Sequence, residues 1–296
     1  MFERFLHYLE FERRYSPHTV VSYKTDLEQF FNYLHDTYNT TESKDITAVM
    51  VRSWFVHLMD NHISARSVNR KKTALRSFFK FQQKMGIVDE NPMSKILSPK
   101  TSKRLPSFIE EDKMNDILDH FPSEGENEFS MIRDRLILEM FYATGMRLTE
   151  LVNLKEVDVS LYNSNVKVLG KRNKERIIPF NGHLKLMIEE YLQLKRKEYS
   201  NDEAGTWFFI TDGGKKVYQR LVYRIVNHYL SLITTQEKKS PHTLRHTFAT
   251  HMLNHGANLN SIKEIMGHAN LSATQIYTHN SIEKLKTLYK QAHPKA

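Results

Sequence analysis

A stretch rich in proline and serine interrupts the chain after its first third, and it constrains the fold more than any other feature. It runs from Asn91-Pro92 to Leu105-Pro106 and carries four basic residues, Lys95, Lys100, Lys103 and Arg104. Proline cannot continue a helix or a central strand, and it biases the residue before it toward extended backbone. We therefore predict an extended linker over residues 91–106 that joins two domains, and its charge suits a segment that crosses a phosphate backbone.

The residues before the linker show helical spacing and no useful β-alternation. Ser16-Pro17 predicts a helix start, because serine caps a helix and proline suits its first position. A second helix opens at Asp45-Ile46-Thr47, and a third is capped by Ser64 or Ser67 and ends at Gly86. We predict an all-helical domain over residues 1–90.

After the linker the hydrophobic period changes. Two strands, Asn165–Leu169 and Arg176–Phe180, are predicted around a polar turn over residues 170–175. Helices are predicted on both sides of this hairpin, at Glu110–Phe121, Ile132–Thr144, Thr149–Leu154, Leu184–Lys197, Gln219–Leu232, Pro241–Leu253 and Asn260–Met266. The fold class is thus mainly α, with an α+β second domain over residues 107–279 that holds a small antiparallel sheet.

Composition excludes several classes of function. The chain has no cysteine, no apolar run long enough for a membrane span and no apolar stretch at its N-terminus, which favours a cytoplasmic protein. The formal net charge is +9, and residues 1–106 hold 17 basic against 11 acidic side chains. A basic protein favours polyanions, and nucleic acid is the first candidate.

The most informative chemistry lies near the C-terminus. Ser240 caps a helix that Pro241 begins, and His242 and Arg245, three residues apart, share a face in its first turns. The unpaired amides and the helix dipole at such an N-terminus favour an anion, so a phosphate is the natural ligand. A helix start with two solvated side chains is the alternative for this motif taken alone.

Other candidate residues for a phosphate site lie elsewhere along the chain. Gly267 ends a helix in a left-handed cap and fixes the corner from which His268 projects, and Tyr277 follows in a polar segment that is a poor core position. Upstream, Arg147 follows the helix-ending Gly145, with Glu150 three residues on. Lys171 begins the turn between the two predicted strands. Taken singly, these are ordinary surface ion pairs and loop residues.

As a set, these motifs resemble the tyrosine site-specific recombinases, most closely the bacterial Xer group. The matching segments are Thr-Gly-Met-Arg147-Leu-Thr-Glu150-Leu, Gly-Lys171-Arg-Asn-Lys-Glu-Arg-Ile-Ile-Pro, His242-Thr-Leu-Arg245-His and Gly-His268-Ala-Asn-Leu-Ser-Ala-Thr-Gln-Ile-Tyr277-Thr-His. The resemblance spans the whole chain, and it implies a SAM-like core-binding domain followed by a catalytic domain. Arg172 stands where many relatives carry glycine, and Met146 where leucine is commoner.

The resemblance implies a mechanism. Tyr277 would attack the scissile phosphate, and the resulting 3′-phosphotyrosine would retain the bond energy for rejoining. The other roles follow the family pattern: Arg147 and Arg245 on the phosphate oxygens, Lys171 as the acid for the leaving 5′-oxygen, His242 as acid–base partner of the tyrosine, His268 as a hydrogen-bond donor and Glu150 in support. Nearby charges on Arg172, Lys174 and Arg176 are expected to lower the pKa of Lys171. No metal ion or other cofactor is expected.

DNA contacts are expected in both domains. On the helix over residues 67–84, Lys72, Arg76 and Lys80 follow one another at four-residue steps and predict a basic stripe for the major groove. Lys103 of the linker and Arg172 of the turn are further candidates. A solvated basic face is the alternative for the stripe.

The family also implies an assembly. The C-terminal helix over residues 280–296, with the apolar Ile282, Leu285 and Leu288, would dock into a neighbouring subunit of a homo- or hetero-tetramer on two DNA sites. A partner recombinase or an accessory activator fits this scheme. Chromosome dimer resolution is the favoured role, and an integrase of a phage or transposon is the main alternative. A type IB topoisomerase shares the chemistry, and a non-catalytic DNA-binding protein would lack the nucleophile or an arginine.

Overall fold

The chain is described by a computed structural model that covers residues 2–99, 108–121, 127–170, 175–199, 205–267, 287, 289 and 291–294. It divides into two compact units, Met1–Arg104 and Leu105–Ala296. The fold is mainly helical with one small antiparallel sheet, so the predicted fold class is confirmed. None of the helices described combines the length and the apolar character needed to cross a membrane.

Four α-helices build the first unit. They are α1 (Glu3–His7), α2 (Pro17–Tyr38), α3 (Ala48–Asp60) and α4 (Ala65–Lys84), and a π-helical turn over Tyr8–Glu12 follows α1. Ser16 accepts a hydrogen bond from the Thr19 amide, which confirms the predicted cap of α2. Of the two serines considered for α4, Ser64 is the cap, because its side chain accepts from the Ser67 amide.

The aromatic core of the first unit extends into the predicted linker. Phe30, Trp54 and Phe78 are buried at its centre, and Met93 and Ile96 pack into the same cluster. Residues 91–96 therefore pack as part of the first unit, although the prolines and serines of residues 91–106 predict an extended linker. Met93 and Ile96 are isolated apolar residues without a repeated helical spacing, so the sequence pattern does not predict that they join the core.

The second unit surrounds one central helix. Its elements are α5 (Glu111–Asp119), α6 (Glu128–Thr144), α7 (Leu148–Val152), α8 (Gly182–Glu198), α9 (Gln219–Ile233), α10 (Pro241–Asn254) and α11 (Leu259–Met266). Helix α6 is buried over most of its length and packs against α8 and α10. Tyr289 and His293, from the C-terminal segment, are buried in the same core.

The sheet has the strand order β1-β2-β3 and is antiparallel throughout. Its strands are β1 (Val159–Ser160), β2 (Asn165–Leu169) and β3 (Glu175–Pro179), with Val166 opposite Ile178. The β2–β3 hairpin agrees with the sequence. The two residues of β1 are too few to show alternation, so this strand was not predicted.

Helix α10 is fixed to the segment that enters the second unit. The Ile109 amide donates to Thr247 Oγ1 at 3.0 Å, and the Ile109 carbonyl faces His251 Nε2 at 2.9 Å. Since a carbonyl only accepts, Nε2 carries the proton and Nδ1 accepts from the Tyr142 hydroxyl at 2.9 Å. Burial lowers the pKa of His251, which keeps this bridge neutral. The bridge fixes the helix that carries Arg245.

Gly145, at the end of α6, lies in close contact with α10. It ends α6 with a φ of +57°, and a Cβ there would lie 2.4 Å from the Phe248 ring.

Gly145→Ala should destabilise the second unit by about 2–4 kcal/mol, because the left-handed backbone and the clash both add cost. Urea unfolding measures the loss.

The matched control is Gly256→Ala. Gly256 also has a positive φ, of +83°, but a Cβ there meets nothing within 4 Å. Only the backbone cost of about 1–2 kcal/mol should be seen. Equal losses in the two variants would show that the contact with Phe248 does not constrain this turn.

Candidate active site

Three arginines converge on the C-terminal end of α11. Each donates to a different one of three successive carbonyls, which a helix end leaves without intrahelical partners. The bonds are Arg176 Nε to Ile265 O at 2.6 Å, Arg245 to Met266 O at 2.5 Å and Arg147 to Gly267 O at 2.7 Å. We call Arg147, Arg176 and Arg245 the arginine cluster. The partial negative charge of the helix end favours all three cations.

The arginines come from three elements that are distant in sequence. Arg147 precedes α7, Arg176 lies on β3 and Arg245 lies on α10. Arg245 also donates to the carbonyl of Gly145, the residue that ends α6. The cluster therefore ties the end of α6, the sheet, α10 and α11 to one another.

A single carboxylate lies between two members of the cluster. Glu150 accepts four hydrogen bonds: from the Arg147 amide and side chain, both at 2.7 Å, and from two nitrogens of Arg176, both at 2.8 Å. Four bonds match the number of acceptor sites on a carboxylate. The hydrogen bond from the Arg147 amide to Glu150 also caps the first turn of α7, which begins with Leu148. Glu150 thus fixes both the backbone and the side chain of Arg147.

Burial and charge determine how these groups ionise. Burial alone would raise the pKa of Glu150, but the hydrogen bonds and charge of Arg176 and the two hydrogen bonds from Arg147 lower it to about 2. Burial, with Arg147 and Arg176, lowers the pKa of Arg245 to about 9, which leaves it charged at neutral pH. Three guanidinium groups against one carboxylate leave a formal charge of +2. Such a centre is suited to an oxyanion such as a phosphodiester.

Solvent exposure distinguishes Arg147 from the other two arginines of the cluster. The side chain of Arg147 is 23 % exposed, whereas those of Arg176 and Glu150 are 4 % and 2 % exposed. Arg245 is buried, and His242, one turn earlier on α10, is exposed. Burial, together with His242, lowers the pKa of the neighbouring His246. Arg147 is therefore the solvent-facing cation of the cluster.

Several predicted site residues lie outside the described part of the chain. These are Lys171, His268 and Tyr277 among the predicted catalytic residues, and Lys103 and Arg172 among the predicted DNA contacts. Of the predicted catalytic residues that the structure describes, it brings together Arg147, Glu150 and Arg245.

The alternation of the strand, and not a catalytic motif, is the sequence feature that indicates a role for Arg176. From the motifs, Arg176 is only a charge near Lys171, yet on β3 it shares the buried side with Ile178. A strand alternates its side chains between two faces, so a basic residue at an inward position needs a buried partner.

The predicted basic stripe on α4 needs a correction. Lys72 is 4 % exposed, and its ammonium donates to Ile96 O at 2.5 Å and to Ser98 Oγ at 2.9 Å. Burial, together with Arg76, lowers the pKa of Lys72. Each four-residue step turns the helix about 40° past a full circle, so Lys72 and Lys80 point about 80° apart. Arg76 and Lys80 are exposed, and Lys72 instead anchors residues 96–98.

Comparison with known families gives two matches that together span most of the chain. Residues 107–284 match the phage integrase family, and residues 2–86 match the phage integrase N-terminal SAM-like domain. Full-length relatives include Tyrosine recombinase XerC of Staphylococcus aureus, 38 % identical over 99 % of this chain and 96 % of the relative. The XerC of Chlorobaculum parvum is 35 % identical over 99 % of this chain and 94 % of the relative.

Solved structures share the fold. A XerH site-specific recombinase bound to a palindromic difH substrate in a post-cleavage complex has a TM-score of 0.71 at 22 % identity, covering 93 % of this chain and 77 % of that one. A lambda integrase dimer bound to a COC′ core site has a TM-score of 0.69 at 16 % identity, covering 93 % and 97 %.

The depressed pKa of Glu150 predicts an acid-sensitive site. Stability from this carboxylate is present above its ordinary pKa of 4.5 and is lost as the pH falls through about 2. The difference in unfolding free energy between the wild-type protein and Glu150→Gln should therefore shrink by about 3 kcal/mol between pH 6 and pH 2. Urea unfolding across this range measures it, and a constant difference would contradict the depressed pKa.

Proposed function

The chain belongs to the phage integrase family and is a tyrosine recombinase, an enzyme that cleaves and rejoins DNA, and from this we propose an Xer-type role in chromosome dimer resolution. The observation that carries the proposal is the full-length similarity to XerC proteins at 35–38 % identity. An integrase of a phage or transposon is the second candidate. It is favoured by the shared fold of a Tn1549 transposon integrase, with a TM-score of 0.69 at 17 % identity.

In the proposed cleavage step, Tyr277 attacks the scissile phosphorus and the bond to the 5′-oxygen breaks. Lys171 protonates the leaving oxygen, and His242 serves as acid–base partner of the tyrosine hydroxyl. The 3′-phosphotyrosine keeps the bond energy, so rejoining needs no external energy source. These roles are assigned from the family motifs at the matching positions.

The arginine cluster supports the proposed handling of the phosphate. Arg147 and Arg245 hold the non-bridging oxygens, and His268 donates a further hydrogen bond. The three arginines of the cluster are compensated by one carboxylate alone among the described residues, so a formal charge of +2 is available to stabilise the negative charge that develops on a pentacoordinate phosphorus. Glu150 holds Arg147 in position without contacting the DNA.

We further propose that both domains contact DNA, over residues 1–90 and 107–279, with residues 91–106 between them. Helix α4 has no acidic residue and presents an exposed basic face that includes Arg76 and Lys80. Lys103 and Arg172 are kept as candidate contacts, and Lys72 is left out because it is buried. The assembly would be a homo- or hetero-tetramer on two sites, with a partner recombinase or accessory activator taking part. Tyr289 and His293 pack in the core of their own unit, so the proposed contact with a neighbour is assigned to the other residues of 280–296.

The nucleophile is tested by trapping the covalent intermediate. Wild-type protein should form an adduct on a nicked duplex that carries its own binding site, because the nick lets the cleaved end diffuse away. Tyr277→Phe should form no adduct and still shift the duplex in a gel. An adduct that survives this substitution would overturn the assignment of Tyr277.

The salt dependence of DNA binding tests the face of α4. Arg76→Ala and Lys80→Ala should each reduce the slope of log K against log salt by about 1, since each removes one phosphate contact. Lys72→Met is the matched control, because it removes an equal but buried charge from the same helix and should leave the slope unchanged. Unchanged slopes in all three variants would exclude this face as a DNA contact.

The chromosomal role is separated from the integrase role by where the protein binds in its own genome. Crosslinking and sequencing with the Tyr277→Phe protein should recover one site in the replication terminus for an Xer-type enzyme. Recovery of the borders of a mobile element instead would establish the second candidate.

A further inference from the structure

We infer that Arg176 is a positioning residue for strand cleavage. It acts by sharing the carboxylate of Glu150, so that Glu150 holds Arg147 less strongly and Arg147 stays available to a phosphate. The inference rests on the proposed function, because it assumes that Arg147 is a phosphate ligand. In the hydrogen-bond network Glu150 lies between Arg176 and Arg147. We expect Arg176 to have no contact with the DNA. Its effect on the reaction passes through two neighbours.

The geometry of Arg176 fits this role. Two of its nitrogens bond the two oxygens of Glu150 at 2.8 Å, in the parallel arrangement that a guanidinium makes with a carboxylate. Its Nε donates in another direction, to Ile265 O at 2.6 Å. Lysine has one nitrogen and cannot make these three directed bonds with one planar group. The position therefore requires arginine specifically, and a positive charge alone does not suffice.

Removing Arg176 would change the demands on Arg147. Glu150 would lose two of its four hydrogen bonds and would retain Arg147 as its remaining hydrogen-bonded cation in the described cluster. A buried carboxylate with so few donors attracts the cation that it still has. Arg147 would then be held more strongly by Glu150 and would be less available to an incoming phosphate. The formal charge of the cluster would fall from +2 to +1.

Arg176 also connects elements that flank two proposed catalytic residues. It follows Lys171 by five positions in the sequence, and its carbonyl partner Ile265 precedes His268 by three. The bond from Arg176 to Ile265 joins β3 to the end of α11. A side chain at this junction sets the spacing between the strand that follows Lys171 and the helix that precedes His268.

The inference is tested with four variants in a single-turnover cleavage assay. Arg176→Met removes both interactions, and Arg176→Lys keeps the charge alone. Glu150→Gln combined with Arg176→Met removes the carboxylate that would capture Arg147. Arg133→Met is the matched control, because Arg133 is another buried arginine of this unit that bonds carboxylates and a backbone carbonyl, with Asp134, Asp212 and Ile210 as partners.

The probe is a nicked duplex carrying the site that the full-length protein selects from a pool of random duplexes. Wild-type protein must first form an adduct on it that Tyr277→Phe does not form. Failure at this step would count against the proposed function, independently of Arg176. Adduct formation is then followed over time, and DNA affinity and thermal unfolding are measured for each variant.

The expected result has three parts. Arg176→Met slows cleavage on the order of 10²-fold at retained DNA affinity, because a misplaced phosphate ligand costs about this much. Arg176→Lys is also slowed, and Arg133→Met loses thermal stability but cleaves at the wild-type rate. The double variant cleaves roughly tenfold faster than Arg176→Met, because the competing carboxylate is gone.

Three results would overturn the inference. One is cleavage by Arg176→Met or Arg176→Lys at the wild-type rate. Another is an equal loss of cleavage in Arg133→Met, which would mean that any buried arginine of this unit has the same effect. The third is a double variant no faster than Arg176→Met. If Arg176→Met does not fold, the rate of Arg176→Lys, compared with that of Arg133→Met, decides between the first two outcomes.

Discussion

A buried carboxylate between two arginines is the interaction on which the rest of the site depends. Glu150 has all four of its acceptor sites filled by N–H groups of Arg147 and Arg176. Without it, two guanidinium groups would lie close together with no anion between them, and the first turn of α7 would lose its cap. With it, one arginine is buried as support and the other is left partly exposed for a ligand.

The end of α11 provides the second half of this arrangement. Its last carbonyls cannot be satisfied within the helix, and three arginines from different parts of the second unit satisfy three of them. The same bonds that complete the helix therefore gather the positive charge in one place. The side chains that complete this helix end are therefore the same ones that we propose bind the phosphate.

Local features were predictable from the sequence, and interactions across long sequence separations were not. The cap at Ser16, the helix end at Gly145 and the left-handed helix end at Gly267 depend on residues a few positions apart, and the structure agrees with them. Arg176 was overlooked because its partners lie 26 and 89 residues away. Lys72 was assigned to an exposed stripe because its spacing was helical. It is buried because residues 96–98 fold back over it, and no pattern within α4 indicates that contact.

The most direct test of the central claim is a crystal structure of the Tyr277→Phe protein bound to its own recombination site. We predict that Arg147 and Arg245 contact non-bridging oxygens of one phosphate at about 3 Å, while Glu150 keeps its bonds to both Arg147 and Arg176. A phosphate bound away from the arginine cluster, or a Glu150 that has released Arg147 to reach the DNA, would contradict this account of the site.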